Sequence, residues 1–268
     1  MFLDIHTHAY HPKIAHKVLA QLEGHYGIPP VGTGLVEDLL VRARRAGLDK
    51  VVVHGAATAP AQVIPANNWA ISLQRDNPDV YAFGTLHPGY ADFEAELDRL
   101  EAAGIMGIKF HADFQGFRLD DPALGPIFEA IAGRFTVMFH VGDRLPPEEN
   151  PSCPMKLATI LRDFPRLGAI AAHMGGYLHW QWALEHLAGK DVYLDTSSTL
   201  AFIDRATLLA LFDHHPVERI LFGSDYPLFD PAEERVRLQE TLSLSDGALE
   251  RILSSGAAIF TGEARAGR

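Results

Sequence analysis

The sequence predicts an α/β protein whose single domain, residues 1–268, is a (β/α)8 TIM barrel. Short β-rich runs alternate with amphipathic helical patterns along the chain, and they recur at roughly thirty-residue spacing, as in such barrels. Strict alternation requires parallel strands joined by helical crossovers, and eight repeats favour a closed barrel over an open sheet. An open dinucleotide-binding sheet usually has a glycine-rich turn after its first strand, whereas this chain has His-Thr-His there.

The predicted strands are apolar runs rich in Val, Ile and Phe, most of them ending in a polar or glycine-containing segment. They lie at 2–8, 50–55, 80–88, 105–112, 135–142, 167–176, 192–198 and 219–227.

Helical patterns occupy most of the connections, and several end in Gly or Pro, as helices commonly do. They lie at 34–47, 91–104, 154–165, 177–190 and 204–216, and two more, 231–243 and 246–262, follow the eighth strand. Residues 9–34 and 143–153 are predicted as long loops, and long loops of a barrel tend to cover its active site.

Composition argues against several functional classes. Lys and Arg number 23 against 34 Asp and Glu, so the formal net charge is −11. An acidic chain is a poor partner for nucleic acid or for an anionic membrane surface. The single cysteine, Cys153, has no partner for an internal disulfide and no Cys-x-x-Cys neighbour, which argues against a disulfide scaffold and a cysteine-based zinc site.

The chain shows no charged leader before its first strand and no apolar run of the ~18 residues that a membrane helix needs. We therefore expect a cytoplasmic protein that acts on a small molecule, without nucleic-acid or membrane partners. Homo-oligomerisation is left open.

The first strand ends in a His-x-His pair, within "FLDIHTHAYH". Side chains alternate faces along a strand, so His6 and His8 are expected to point the same way. Two neutral imidazoles on one face can bind one metal ion. Alone this pattern is weak evidence, because most such pairs lie on surfaces or in loops.

Ligand-type residues recur at five predicted strand ends. They are His6 and His8 on the first strand, Lys109 and His111 on the fourth, His140 on the fifth, His173 on the sixth and Asp225 on the eighth. Each also fits a structural role, as a core histidine or a helix cap. In a barrel, however, the carboxyl-terminal rim collects residues from different strands, and a carboxylate buried among histidines is costly without a cation. The coincidence therefore predicts a shared metal site.

Strand alternation also assigns faces to neighbouring residues. Inward-facing pairs are predicted to be Met138 with His140, Ala171 with His173, and Gly223 with Asp225, whereas Val137, Phe139, Ile170 and Phe222 are predicted to face the helices.

The His-x-His pair, "FH" at 139–140, "HMGG" at 173–176 and "GSDYP" at 223–227 together resemble the amidohydrolase superfamily. The resemblance is strongest to its amidohydrolase-related branch, which contains the aminocarboxymuconate semialdehyde decarboxylase-like proteins, and it covers essentially the whole chain. It implies a barrel with one divalent metal ion, commonly zinc. It implies that His6, His8, His140 and Asp225 are ligands, and that His173 is a catalytic histidine or a further ligand.

Lys109 has two interpretations. Related binuclear hydrolases carry a carboxylated lysine at the end of strand four, where it bridges two metals. The decarboxylase-like branch usually works with one metal, so we favour a charged Lys109 that binds an anionic substrate. His111 is a weaker candidate for the same pocket.

The resemblance leaves two reactions open. In a hydrolase, metal-activated water attacks an amide, lactone or ester, while Asp225 accepts the water's proton and His173 polarises the bond or carries a proton. In a decarboxylase, the metal and His173 instead help to protonate carbon before CO2 leaves. Hydrolysis is placed first because it is frequent in the superfamily, which is an argument from fold.

Two other classes are less favoured. A metal-binding barrel without catalysis would not need the full set of acid, base and ligand residues. A serine hydrolase would require a G-x-S-x-G motif, which the sequence lacks.

Overall fold

In the computed structural model, which describes residues 1–261, parallel strands alternate with helices along the chain. The strands are β1 Leu3–Thr7, β2 Lys50–Val53, β3 Val80–Ala82, β4 Gly84–Thr85, β5 Gly107–Phe110, β6 Thr136–Phe139, β7 Gly168–Ala171, β8 Tyr193–Asp195 and β9 Ile220–Leu221. The α-helices are α1 Ala15–Tyr26, α2 Val36–Arg45, α3 Val63–Asp76, α4 Phe93–Ala102, α5 Ala112–Gln115, α6 Gly125–Ile131, α7 Pro154–Asp163, α8 Trp180–His186, α9 Arg205–His214, α10 Pro231–Leu242, α11 Asp246–Ser255 and α12 Ala257–Thr261.

The strands close into an eight-stranded barrel, as predicted. They pair in the orders β1-β2-β3 and β4-β5-β6-β7-β8-β9, all parallel. β3 and β4 are two halves of one barrel strand that is interrupted at Phe83, whose backbone N–H donates to the carbonyl of Val53 at 3.0 Å. The last strand is hydrogen-bonded to the first, since the N–H of Ile5 on β1 donates to the carbonyl of Phe222, just after β9, at 2.8 Å. Each of the eight predicted runs contains one barrel strand.

Apolar side chains fill the amino-terminal half of the barrel and leave its other end polar. The interior cluster consists of Leu3, Ile5, Val52, Phe83, Met138, Ile170, Ala172, Leu221 and Ile259. The terminal helix α12 packs against it, and Phe260 stacks on Tyr81 with ring centroids 4.0 Å apart. The strand-end histidines and carboxylates therefore collect at the opposite, carboxyl-terminal end.

The predicted alternation holds on β6 but is wrong on β7. Met138 lies in the interior cluster and Phe139 in the outer core, as predicted. On β7, Ile170 is inside and Ala171 outside, the reverse of the prediction. His173 still reaches the interior because the regular strand ends at Ala171 and His173 itself adopts a left-handed backbone with φ 61°.

The first long loop is partly helical, which corrects the prediction for residues 9–34. Within it, α1 has small and apolar residues at helical spacing, including Ala15, Val18 and Leu22, and it ends at Gly27, whose φ of 68° is easy only for glycine. Residues 143–153 contain no helix or strand, as predicted.

Three helices, α3, α5 and α6, have no counterpart among the predicted patterns. In α3, Pro65, Asn67 and Asn68 lower the intrinsic helix propensity. Tertiary contacts compensate, since buried Asn67 hydrogen-bonds the backbone of Thr85 in both directions. The predicted helical segment 246–262 is two helices, and its last residue lies outside the described part of the chain.

Among residues 1–261, no helix is long and apolar enough to cross a membrane.

Candidate active site

The carboxyl-terminal ends of the strands open into a cavity of about 680 Å³. All the predicted strand-end residues line it: His6, His8, Lys109, His111, His140, His173 and Asp225. Helix α1 contributes Tyr26 to the wall, and His25 of the same helix is 3.0 Å from Asp143 on the loop after β6. The two segments predicted to cover the site therefore contact each other above it.

His6, His8 and Asp225 form the centre of the site. Asp225 Oδ1 lies 3.7 Å from Nε2 of His6 and 3.2 Å from Nε2 of His8. Asp225 is held there by a left-handed backbone with φ 63° and by an N–H bond to the carbonyl of His6 at 2.8 Å. Ser198 Oγ donates to the other carboxylate oxygen. A non-glycine residue in this conformation is strained, and such strain is common at functional positions.

Hydrogen bonds orient both imidazoles with Nε2 towards Asp225. Nδ1 of His6 lies 3.0 Å from Oδ2 of Asp195, and Nδ1 of His8 lies 2.9 Å from the carbonyl of His54. Both oxygens act as acceptors, so the proton of each neutral imidazole is on Nδ1 and the lone pair on Nε2. This is the tautomer that ligates a metal through Nε2.

His140 and His173 form a second pair beside the first. Nε2 of His173 is 3.0 Å from Nδ1 of His140, and the His173 ring is 5.2 Å from that of His6. His140 does not join the group of His6, His8 and Asp225; it groups with His111 and Asp113, whose ligand atoms and its own lie within 4.8 Å of one another. Its ring stacks on His111 with centroids 3.7 Å apart.

Lys109 is a buried cation within this cluster. Its side chain is 1% exposed, and Nζ lies 3.4 Å from Nε2 of His6. Burial lowers the pKa of Lys109 to about 8, although the charges of Asp195 and Asp225 oppose that shift. The amine is therefore poised to exchange a proton or to bind an anion near neutral pH.

Burial keeps the imidazoles of His6 and His140 neutral. It lowers the pKa of His6 to about 4, with the charge of Lys109 adding to the effect, and it holds the pKa of His140 well below its usual range. Burial by itself would raise the pKa of Asp225, but His6 and His8 hold it well below its usual range. Neutral imidazoles and an ionised carboxylate are the protonation states that metal ligands require.

The residues present fit a divalent cation. His6, His8 and Asp225 converge, and Nε2 of His140 is a buried nitrogen without a hydrogen-bond partner. A buried polar atom of this kind is normally satisfied by water, an ion or a ligand. Three imidazoles and one carboxylate are a donor set typical of zinc and related ions.

Aromatic side chains form much of the remaining wall. His111 stacks on Phe114 at 4.1 Å, and its Nε2 is 3.4 Å from the hydroxyl of Tyr26. Tyr26 in turn contacts Tyr177, with centroids 6.0 Å apart. Such a wall suits a flat, conjugated molecule.

Asp195, Ser197, His54 and Tyr26 were not predicted as site residues from the sequence. Asp195 and Ser197 lie at the end of the seventh predicted strand in "YLDTSS", and His54 lies at the end of the second in "VVVHG", so the strand-end rule would have found them. Tyr26 carried no such signal, because its helix was taken for a loop.

Comparisons with known proteins identify the family of this chain. A family model described as Amidohydrolase matches residues 3–260. The chain is 26% identical over 279 residues to 6-methylsalicylic acid decarboxylase of Penicillium expansum, covering 84% of each protein.

Solved structures share the fold. An uncharacterized TIM-barrel protein from Bordetella bronchiseptica superposes with a TM-score of 0.74 at 19% identity, covering 100% of this chain and 99% of the other. The 5-carboxyvanillate decarboxylase of Sphingomonas paucimobilis superposes with a TM-score of 0.70 at 16% identity, covering 97% and 98%. Structures named for hydrolases of 2-pyrone-4,6-dicarboxylic acid have the same fold. Members of the amidohydrolase superfamily are enzymes, decarboxylases as well as hydrolases, that use divalent metals, and this chain belongs to the amidohydrolase family.

Proposed function

We propose that this protein is a metal-dependent, non-oxidative decarboxylase of a small conjugated carboxylic acid. The observation that carries the proposal is the buried group of His6, His8 and Asp225 beside the Lys109 cation. Hydrolysis was placed first on sequence alone, but the decarboxylase alternative has better support. The curated relative, which the chain matches over 84% of its length, is named as a decarboxylase.

The metal would be one zinc ion per chain, held by His6, His8, His140 and Asp225. When bound, such an ion supplies a Lewis acid that attracts substrate oxygens and stabilises negative charge. The Nδ1 bonds to Asp195 and to the His54 carbonyl keep two of these imidazoles oriented for that purpose.

Lys109 and His111 would bind the substrate. Among the described residues lining the cavity, the cationic side chains other than histidine are buried Lys109 and exposed Lys17. One buried ammonium matches one carboxylate, so we propose a monocarboxylate. His111 and Tyr26 would contact a polar substituent, since both residues line the cavity and the Tyr26 hydroxyl lies 3.4 Å from Nε2 of His111.

Decarboxylation requires a proton to replace the carboxylate on carbon. The bond to the carboxylate carbon breaks, its electron pair stays on the substrate carbon, a proton adds there and CO2 leaves, so no oxidant is needed. We propose that His173 and Asp225, which both line the cavity, transfer this proton to the substrate carbon. Water is kept from the reacting carbon by the aromatic wall and by the contact of α1 with the loop after β6.

The test is CO2 release by protein stripped with a chelator and then reloaded with zinc. The substrates are benzoates with an ortho hydroxyl, 6-methylsalicylic acid among them, against a panel of lactones, esters and amides. We expect metal-dependent CO2 release, with one deuterium at the decarboxylated carbon when the reaction is run in D2O. Lactone or ester cleavage without CO2 release would instead establish hydrolysis.

A further inference from the structure

We propose that Asp195 and Ser197 form a positioning pair that sets the tautomers of His6, His173 and His140. The inference rests on the proposed function, because it concerns the histidines of the same site. Asp195 is the last residue of β8 and Ser197 lies two residues after it; both are fully buried, and neither lines the cavity. They therefore act through the histidines and not on substrate.

Both carboxylate oxygens of Asp195 accept hydrogen bonds within this site. Oδ2 is 3.0 Å from Nδ1 of His6. Oδ1 accepts from the Ser197 hydroxyl, from the N–H of Ser197 at 3.0 Å and from the N–H of His173 at 3.2 Å. One carboxylate thus holds the ring of His6 on β1 and the backbone of the segments that follow β7 and β8.

The hydrogen bonds of Ser197 determine which ring nitrogen of each neighbouring histidine carries the proton. Its single hydroxyl proton goes to Asp195, so Oγ is left as an acceptor. Oγ lies 2.9 Å from Nδ1 of His6 and 3.0 Å from Nδ1 of His173. The Ser197 carbonyl, which can only accept, is 3.1 Å from the same His173 nitrogen. Both rings therefore carry their proton on Nδ1.

The tautomer of His173 in turn determines the tautomer of His140. With its proton on Nδ1, His173 has a lone pair on Nε2, and the atom 3.0 Å away is Nδ1 of His140. That nitrogen must donate, so the lone pair of His140 lies on Nε2, the buried atom that has no partner. One carboxylate thus leaves the lone pair on Nε2 in both His6 and His140, the atoms that would hold the metal.

The pair and His6 are closely packed against the segment that follows β9. A Cβ at Gly223 would lie 2.9 Å from Cβ of His6 and 3.2 Å from Cβ of Ser197. The absence of a side chain at Gly223 thus lets this segment approach both residues.

Asp195→Asn is the sharpest test, because it keeps the shape and removes one acceptor oxygen. The amide NH2 must face either Nδ1 of His6 or the donors around Ser197, and in the first case His6 keeps its proton on Nε2. We expect zinc affinity, measured by chelator competition, to fall about 10–100-fold, the usual effect of removing a partner that orients a metal-bound histidine. In metal-free protein with 15N-labelled histidine, we expect NMR to show Nδ1–H tautomers for the wild-type rings and a changed tautomer in the variant.

Thr196→Val is the matched control. Thr196 lies between the pair and is 1% exposed, and its hydroxyl hydrogen-bonds the backbone of Gly223 instead of a histidine, so its variant should keep the zinc affinity and the tautomers. If Asp195→Asn does not fold, Ser197→Ala decides, since it deletes only the shared Oγ. Unchanged histidine signals in the variant that folds, or equal zinc loss in Thr196→Val, would overturn the proposal. A wild-type protein that binds zinc without releasing CO2 would refute the proposed function and leave the tautomer result standing.

Discussion

Nε2 of His8 lies 3.2 Å from Oδ1 of Asp225, although the two residues follow the first and last strands of the barrel, β1 and β9. Barrel closure is what brings them together, because the backbones of β9 and β1 are hydrogen-bonded and Asp225 N–H donates to the carbonyl of His6. The proposed metal site therefore lies across the junction of β1 and β9, where the barrel closes. His6 and His8 lie at the end of β1 and Asp225 lies after β9, so these three ligands meet only when the barrel is closed.

Asp225→Asn should fold and yet lose most activity. Asn is among the few residues that tolerate the left-handed backbone at φ 63°, so the backbone at this position and the closed barrel should be preserved. The variant loses the anionic ligand and a proton acceptor together, and we expect the rate to fall by ~10²-fold or more. Circular dichroism, zinc content and CO2 release on one preparation check this. Wild-type zinc content and rate would contradict the assignment of Asp225.

Purified protein should contain about one equivalent of zinc, as a site of three imidazoles and one carboxylate would. His6→Ala and His8→Ala should lower that content, whereas His11→Ala, which changes an exposed histidine at the edge of the cavity, should not. Elemental analysis gives the measurement. Two equivalents would point to a carboxylated Lys109 or to the group of His111, Asp113 and His140.

His173 can be tested separately from the metal with two substitutions. Gln can place its side-chain oxygen to accept from Nδ1 of His140, but it cannot transfer a proton, whereas Ala does neither. We expect His173→Gln to keep most zinc while the rate falls by ~10²–10⁴, the usual contribution of general acid–base catalysis. His173→Ala should lose zinc affinity as well. If Gln restores the wild-type rate, His173 only orients His140 and does not move a proton.

Lys109→Met should weaken substrate binding more than metal binding. The variant keeps the length of the side chain and removes its charge, and losing a charge-assisted bond of ~1.5–3 kcal/mol should raise KM by about 10–150-fold. Lys17→Met removes the exposed cationic side chain of the same cavity and serves as the control. Loss of zinc in Lys109→Met, together with bicarbonate-dependent activity of the wild type, would identify Lys109 as a carboxylated ligand instead.

The strand order and the strand-end residues were predictable because both follow from local pattern. A buried strand has an apolar run, and a polar residue at its end lies on the barrel rim wherever the strand stands in the order. His6, His8, Lys109, His140, His173 and Asp225 therefore line one cavity, as the sequence indicated.

Contacts across the barrel were not predictable in the same way. The sequence "YLDTSS" shows a carboxylate at a strand end, but only the packed structure places Asp195 against His6 and Ser197 between His6 and His173. Ile170 was predicted to face the helices but lies inside the barrel. The prediction counted the alternation of side chains back from His173, and the left-handed backbone of His173 interrupts that alternation. Local strain of this kind is invisible to a periodic pattern.

His215 should make the protein less stable in mild acid. The side chain is 3% exposed, and its Nδ1 accepts the N–H of Gly189 at 3.1 Å, so a proton there would meet another donor. Burial, with the charge of Arg219 adding to it, lowers the pKa of His215 to about 4 in the folded protein. The unfolded chain titrates near the ordinary value of about 6.5 and therefore binds the proton first as the pH falls. The free energy of unfolding should then decline from about pH 6.5 to about pH 4, with no contribution from His215 above that window.

His215→Asn isolates this effect, because its amide oxygen can accept from Gly189 but cannot titrate. We expect urea unfolding at pH 7, 5.5 and 4.5 to show a shallower loss of stability in the variant than in the wild type, even if the variant is less stable at pH 7. His214→Asn, at the neighbouring exposed position, controls for removing a histidine from the end of the same helix. Parallel curves for His215→Asn and the wild type would mean that His215 takes up its proton without unfolding.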